Sequence, residues 1–218
     1  MSTPGIPLGK EEHARILAER IVPDSGLNDV QSHDKPRAII LAGQPGAGKG
    51  GLARKAEFEF SDDVVKIDPD ELRAYHPEVD SFRKAHPYTW SGDTHPDASQ
   101  WAHELRSAAV DGKKNLIIDT TLGGGKSAVE LVKELQSKGY DVEIRAVATH
   151  RLESELGVNK RFSDQLNNDG YGRYVPEDVR TKVYTALPDN LDLVQKVELE
   201  LPQFTGHFDL LEQGHRLQ

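Results

Sequence analysis

The chain has no cysteine and a single methionine among 218 residues. Without thiols there is no disulfide, no cysteine nucleophile and no thiolate zinc site. Its nine histidines show no HExxH or comparable ligand spacing, so no structural metal is expected. His76-Pro77, His86-Pro87 and His95-Pro96 repeat only a dipeptide. They read as loop punctuation, because a residue before proline is pushed out of the helical region. An excess of positive charge is also missing. The 27 Lys and Arg against 36 Asp and Glu leave a formal net charge of -9, which argues against a nonspecific nucleic-acid partner and confines any polyanion site to a local feature. No apolar run approaches the length that spans a bilayer, and the segment from Met1 to Val22 lacks the apolar core of a signal peptide, so the expectation is a cytoplasmic protein.

What is present is an alternation of β-favouring runs and helical patterns, the signature of an α/β domain with a mainly parallel sheet. The expected strands are Ala38–Ala42, Val64–Ile67, Leu116–Ile118, Val142–Ala148 and Val197–Leu201. Ala98, Trp101, Ala102, Leu105 and Ala108 share one helical face, as do Ala128, Leu131, Val132 and Leu135. Ser127 and Glu130 read as a capping box for the second of these helices, with Gly139 at its end. Further helices are expected over Leu152–Phe162 and from Pro176 onward. The length fits one domain. We expect a helix and polar linker over residues 1–36 and the catalytic domain over 37–218. The stretch from Tyr75 to Asp97 shows no periodicity and reads as a substrate lid.

The first strand runs directly into Gly43-Gln44-Pro45-Gly46-Ala47-Gly48-Lys49. Glycines at both ends let the backbone curl around one anion while the lysine reaches the β and γ phosphates, so the run reads as a phosphate loop for ATP or GTP. The following position, where a hydroxyl ordinarily holds magnesium, is Gly50.

Residues just after the other strands are the remaining candidates, since an open α/β sheet presents its ligand contacts there. Asp68-Pro69-Asp70-Glu71 reads as a helix start, with Asp68 as the cap and Glu71 completing a capping box. Asp70 is spare, and a carboxylate there can accept the proton of an attacking hydroxyl. Asp119 ends the third strand in the manner of a magnesium-orienting acid, and Thr121 can donate to a substrate oxygen. The run Gly123-Gly124-Gly125 with Lys126 reads either as a phosphate wrap or as a mobile linker. Arg161, and Arg173 in a glycine-rich loop, are candidates to neutralise charge on a transferring phosphate.

In order along residues 38 to 192, the fragments LAGQPGAGKGGL, VVKIDPDELRAYHP, NLIIDTT, SKGY, LGVNKRF, GRYVPEDV and ALPDNL resemble the zeta toxin family of toxin and antitoxin systems. The resemblance implies a three-layer P-loop kinase fold and transfer of a nucleotide γ-phosphate to the sugar 3′-hydroxyl of UDP-N-acetylglucosamine, with magnesium, blocking cell-wall precursor synthesis. It places the P-loop lysine on Lys49, the catalytic aspartate on Asp70, the phosphate-binding arginines on Arg161 and Arg173, and the substrate threonine on Thr121. The glutamate before that threonine is replaced by Asp119. The acidic residue of the preceding helix aligns with His103, with Glu104 adjacent, and an arginine after the threonine is replaced by Gly123. The resemblance also implies a separate small helical antitoxin, since nothing before the first strand could supply that bundle. Two other readings stand beside it: a P-loop kinase of another small metabolite (nucleoside, antibiotic or dinucleotide), and a nucleotide-binding module that has lost its chemistry, suggested by Gly50 and Gly123.

Overall fold

A computed structural model describes residues 5–200 and 208–212. Its centre is a parallel five-stranded sheet in the order β2-β3-β1-β4-β5, formed by β1 (Arg37–Gly43), β2 (Val65–Ile67), β3 (Leu116–Asp119), β4 (Asp141–Ala148) and β5 (Phe208–Glu212). Helices α1 (Lys10–Ile16) and α2 (Val22–Asp24) are joined by a π-helical turn over Leu17–Ile21. They are followed by α3 (Lys49–Glu59), α4 (Pro69–Leu72), α5 (Val79–Ala85), α6 (Trp90–Asp93), α7 (His95–Asp111), α8 (Gly125–Ser137), α9 (Arg151–Asp169) and α10 (Glu177–Glu200).

β1 is apolar along its length because it is covered on both faces, and its alternate residues enter different cores. Ala38, Ile40 and Ala42 join Trp101 and Leu105 of α7, Val132 and Leu135 of α8, and Leu187 and Leu191 of α10. Ile39 and Leu41 join Leu52, Ala53 and Ala56 of α3 on the opposite face. The result is a three-layer α/β fold. Ile16 and Ile21 sit in the larger core, and Trp101 Nε1 donates to the His13 carbonyl at 3.1 Å, so the first helices share the core of the sheet domain. Among the described residues, no helix is long and apolar enough to cross a membrane.

Five local expectations are corrected. The segment expected as a fifth strand, Val197–Leu201, continues α10 through Glu200, with Leu201 outside the described residues. Leu187, Leu191 and Val194 bury at helical spacing, and that packing overrides the local β preference. Ser127 does not cap α8: the helix starts at Gly125, and Ser127 Oγ donates to the Gly124 carbonyl at 2.8 Å. A Cβ on Gly125 would stand 2.5 Å from Asn190 Oδ1, so this glycine admits α10 and is no mobile linker. Glu71 closes no capping box, because its carboxylate lies 2.5 Å from Lys66 Nζ. The Tyr75–Asp97 stretch carries α5 and α6, and Trp90 within it is buried, with Nε1 donating to the Gly172 carbonyl at 2.8 Å. By contrast, Gly139 does take the left-handed conformation (φ 86°) just after α8.

Candidate active site

Parallel strands β1, β2 and β3 end side by side, with Leu41 in register with Asp119 and Ile67 with Ile118. Their carboxyl ends therefore deliver the phosphate loop, the Asp68–Glu71 turn and the Asp119–Thr121 segment to one place. The cavity there has a volume of about 800 Å³, and its walls include Lys49, Asp70, Asp119, Thr121, Arg161 and Arg173. Six residues expected from separate stretches of sequence thus converge.

The phosphate loop turns through Gly46 (φ 80°) and Gly48 (φ 93°), backbone that side-chain-bearing residues rarely adopt. No side chain caps α3, whose first residue is Lys49, so the helix N-terminus presents its amides and partial positive charge to an anion. Lys49 Nζ donates to the Gly43 carbonyl at 3.2 Å and lies 3.2 Å from Asp119 Oδ1. The loop is braced from behind. Gln44 is buried and exchanges hydrogen bonds with the backbone of Thr149, donating at 3.0 Å and accepting at 3.3 Å. Ser154 Oγ in α9 donates to the Pro45 carbonyl at 2.7 Å. A Cβ on Gly157 would stand 2.3 Å from the Gly46 carbonyl oxygen, so α9, which carries Arg161, lies directly against the loop. Pro45 lines the cavity and Ala47 packs into the smaller core; Gly50, beside Lys49, lines the cavity without a hydroxyl.

Across the cavity, Asp68 caps α4 by accepting from the Asp70 amide at 2.9 Å. Burial, together with the Asp119 and Asp70 carboxylates, pushes its carboxyl up to about 6. Asp70 behaves oppositely. Burial alone would raise it, but the guanidiniums of Arg173, Arg73 and Arg161 outweigh burial and hold it below the usual carboxylate value. Arg173 Nη1 is 2.5 Å from Asp70 Oδ2 and Arg73 Nε is 3.1 Å from Oδ1. Arg161 Nε and Nη2 are buried with no hydrogen-bond partner among the described residues. Unmet guanidinium donors beside a phosphate loop suit an incoming oxyanion.

Two expected contacts lie outside this cavity. Glu104 turns to the N-terminal helix, with its carboxylate 3.3 Å from His13 Nε2 and accepting from Gln100 at 2.7 Å. His103 lines a second cavity of about 450 Å³ with Arg106, Thr120, Gly123 and Ser127. Of the two alternatives for that helix position, the structure brings His103 to the ends of β3 and leaves Glu104 away from them. Arg73, His95 and Gln165 were missed by the sequence reading. Arg73 touches the carboxylate of Asp70, and Gln165 Oε1 accepts from the Arg173 amide at 2.9 Å, which sets the height of that loop. The only signal for Arg73 was its place three residues after an acid on a short helix.

The chain is similar to known proteins in sequence and in fold. The family model described as zeta toxin matches residues 24–205. A zeta toxin of Streptococcus pyogenes is 28% identical over 167 residues, covering 76% of this chain and 58% of the relative. Toxin PezT of Streptococcus pneumoniae is 26% identical over 170 residues, covering 78% and 67%. The chain therefore spans less than two thirds of the length of the first of these. A solved structure of the PezAT chromosomal toxin-antitoxin system of Streptococcus pneumoniae superposes with a TM-score of 0.78 at 23% identity, covering 94% of this chain and 78% of that one. The AvrRxo1-ORF1:-ORF2 complex with ATP superposes at 0.66 and 18%, covering 98% and 70%. A P-loop kinase fold, with its ordered motifs converging on one cavity and a family match across most of its length, places the chain in the zeta toxin family.

Proposed function

We propose that the protein is a phosphotransferase of the toxin type, moving the γ-phosphate of ATP or GTP to a hydroxyl of a UDP-sugar, with the sugar 3′-hydroxyl of UDP-N-acetylglucosamine as the first candidate. The observation that carries this reading is the convergence of Lys49, Asp70, Arg161 and Arg173 on one cavity of about 800 Å³. The phosphate-loop amides from Gly43 to Gly48 and Lys49 hold the triphosphate. Asp70 orients the acceptor hydroxyl and takes its proton as the hydroxyl oxygen bonds to the γ-phosphorus and the bridging bond to the β-phosphate breaks, releasing the nucleoside diphosphate. Arg161 and Arg173 neutralise the departing and transferring oxygens. Thr121, which lines this cavity just after β3, would meet the acceptor, while His103 of α7 lines the neighbouring cavity.

Magnesium fits this site with one protein carboxylate. Gly50 offers no hydroxyl, and among the described residues no group of three or more His, Asp or Glu side chains could hold a metal. Magnesium commonly takes one or two carboxylates and completes its shell with phosphate oxygens and water, and Asp119, against Lys49, is the side chain that would hold it. Bound there, magnesium would supply charge neutralisation between the phosphates. A separate antitoxin is proposed on the strength of the toxin-antitoxin complex among the structural neighbours.

The test is to incubate the protein with ATP, magnesium and a panel of UDP-sugars, with Lys49→Ala as the blank, and to look by mass spectrometry for a gain of one phosphate. Phosphorylated UDP-N-acetylglucosamine from the parent alone is the expected result. Tight ATP binding with no phosphorylated sugar in ample magnesium would contradict it and turn the search to other small metabolites.

A further inference from the structure

Arg73 is buried, only 5% exposed, yet it lies beside the carboxylate read above as the base. It opens the 3-10 turn Arg73–Tyr75 that follows α4. Its Nε donates to Asp70 Oδ1 at 3.1 Å. Its Nη1 donates to the Ser91 carbonyl, and to Thr94 Oγ1 at 3.3 Å. Its Nη2 is 3.4 Å from His95 Nδ1. Arginine carries donors only, so that ring nitrogen is the acceptor. Burial and the Arg73 charge both push His95 below its usual value.

The guanidinium is thus held at all three nitrogens by partners on α4, on α6, at Thr94 and at the start of α7. A planar fork met on every side has little freedom to move. Arg173 differs. It stands between α9 and α10, its side chain is 23% exposed, and its Nε is buried without a partner among the described residues. One arginine on Asp70 is engaged at every nitrogen, and the other keeps a nitrogen without a partner.

We propose that Arg73 is a positioning residue for Asp70: it fixes Oδ1 from behind, so that Oδ2 alone is presented to the acceptor once Arg173 turns to phosphate. This rests on the reading of Asp70 as the base. Arg73 meets the wall of the same cavity, but its three nitrogens are taken by protein partners, so it acts through the carboxylate it holds.

The groups facing Asp70 are Asp68 and Arg73 from its own turn, His95 from α7, Arg161 from α9, and Arg173. Because the arginines hold the carboxyl down against burial, removing the anchored one should let it rise. The measurement is a carbon-13 NMR titration of the Asp70 carboxyl in labelled protein, assigned by its loss in Asp70→Asn, on the parent, Arg73→Gln and Arg73→Lys. It is paired with kcat against pH and the Kd for ATP.

Arg73→Gln is expected to raise the Asp70 titration, move the acid limb of kcat in the same direction and lower kcat about tenfold or more, with the Kd for ATP within about threefold. Arg73→Lys keeps a charge but not the planar hold. It should leave the titration near the parent's and restore only part of kcat. An Asp70 titration in Arg73→Gln that overlays the parent's, an ATP affinity that falls in step with kcat, or parent-level kcat in Arg73→Lys would each overturn the proposal. Should Arg73→Gln fail to fold, the kcat of Arg73→Lys decides. The titration needs no acceptor, so it reports on Arg73 even where no UDP-sugar is phosphorylated, an outcome that would sink the substrate reading alone.

Discussion

Nη1 of Arg173 lies 2.5 Å from Oδ2 of Asp70, so the proposed base and a proposed phosphate ligand neutralise one another. A γ-phosphate competes for the same guanidinium. Arg173→Ala should therefore lose the transition-state cation, lowering kcat by about a thousandfold. The same change should also raise the Asp70 titration. Because the folded carboxyl sits below its usual value, its contribution to stability is present above the unfolded value and is lost as pH falls through the folded one. Urea unfolding from pH 7 to pH 2 should show a shallower acid loss in Arg173→Ala than in the parent; superimposable curves would contradict the pair.

Asp68 predicts the opposite sign. Its carboxyl is pushed up to about 6, so between the unfolded value and 6 the folded chain holds the extra proton, and stability falls as pH rises through that window. The full penalty stands above pH 6. Asn caps a helix as well as Asp, so Asp68→Asn should stabilise the protein by roughly 1–2 kcal/mol at pH 7.5. The gain should vanish below about pH 4. Denaturant melts at the two pH values check both halves of the statement.

The seam between the phosphate loop and α9 leaves no room for a side chain. A Cβ on Gly157 would stand 2.3 Å from the Gly46 carbonyl oxygen, and one on Gly46 2.4 Å from the Ser154 carbonyl oxygen. Gly157→Ala must push α9, and Arg161 with it, away from the loop. The expected result is a loss of roughly 1–3 kcal/mol in stability. ATP binding should weaken and kcat should fall together, measured by calorimetry and single-turnover transfer.

Gly50 has the reverse property. The nearest atom to a Cβ placed there is Arg54 Nη1 at 3.8 Å, which leaves space for a hydroxyl. Gly50→Ser should fold normally and lower the magnesium concentration that gives half-maximal rate, by about fivefold or more, if magnesium sits beside Asp119. An unchanged magnesium curve would move the ion away from this position.

Legibility in the sequence followed the range of each interaction. The first four strands, the phosphate loop and the Asp68 cap depend on neighbours close in the chain, and apolar runs and turn residues announce them. The residues Val197–Glu200 were misread as strand because what keeps them helical is the burial of Leu187, Leu191 and Val194 against other elements. The run ending in Gly125 read either as a phosphate wrap or as a linker because Asn190, the reason for the missing side chain, is far away in sequence. The Tyr75–Asp97 stretch looked aperiodic because its helices are short and are held by single contacts such as Trp90 with Gly172. Within the site, Lys49, Asp70, Thr121, Arg161 and Arg173 were named from the chain. Arg73 was not, since its role lies in meeting Ser91, Thr94 and His95 at once.

The central claim is that Asp70 is the base of a phosphoryl transfer assembled on Lys49, and one variant separates binding from chemistry. Asp70→Asn keeps the shape of the side chain and removes its capacity to take a proton. Measured side by side with the parent, it should bind ATP within about threefold and transfer phosphate at least about a hundredfold more slowly. Phosphate transfer by Asp70→Asn at the parent's rate would contradict the account.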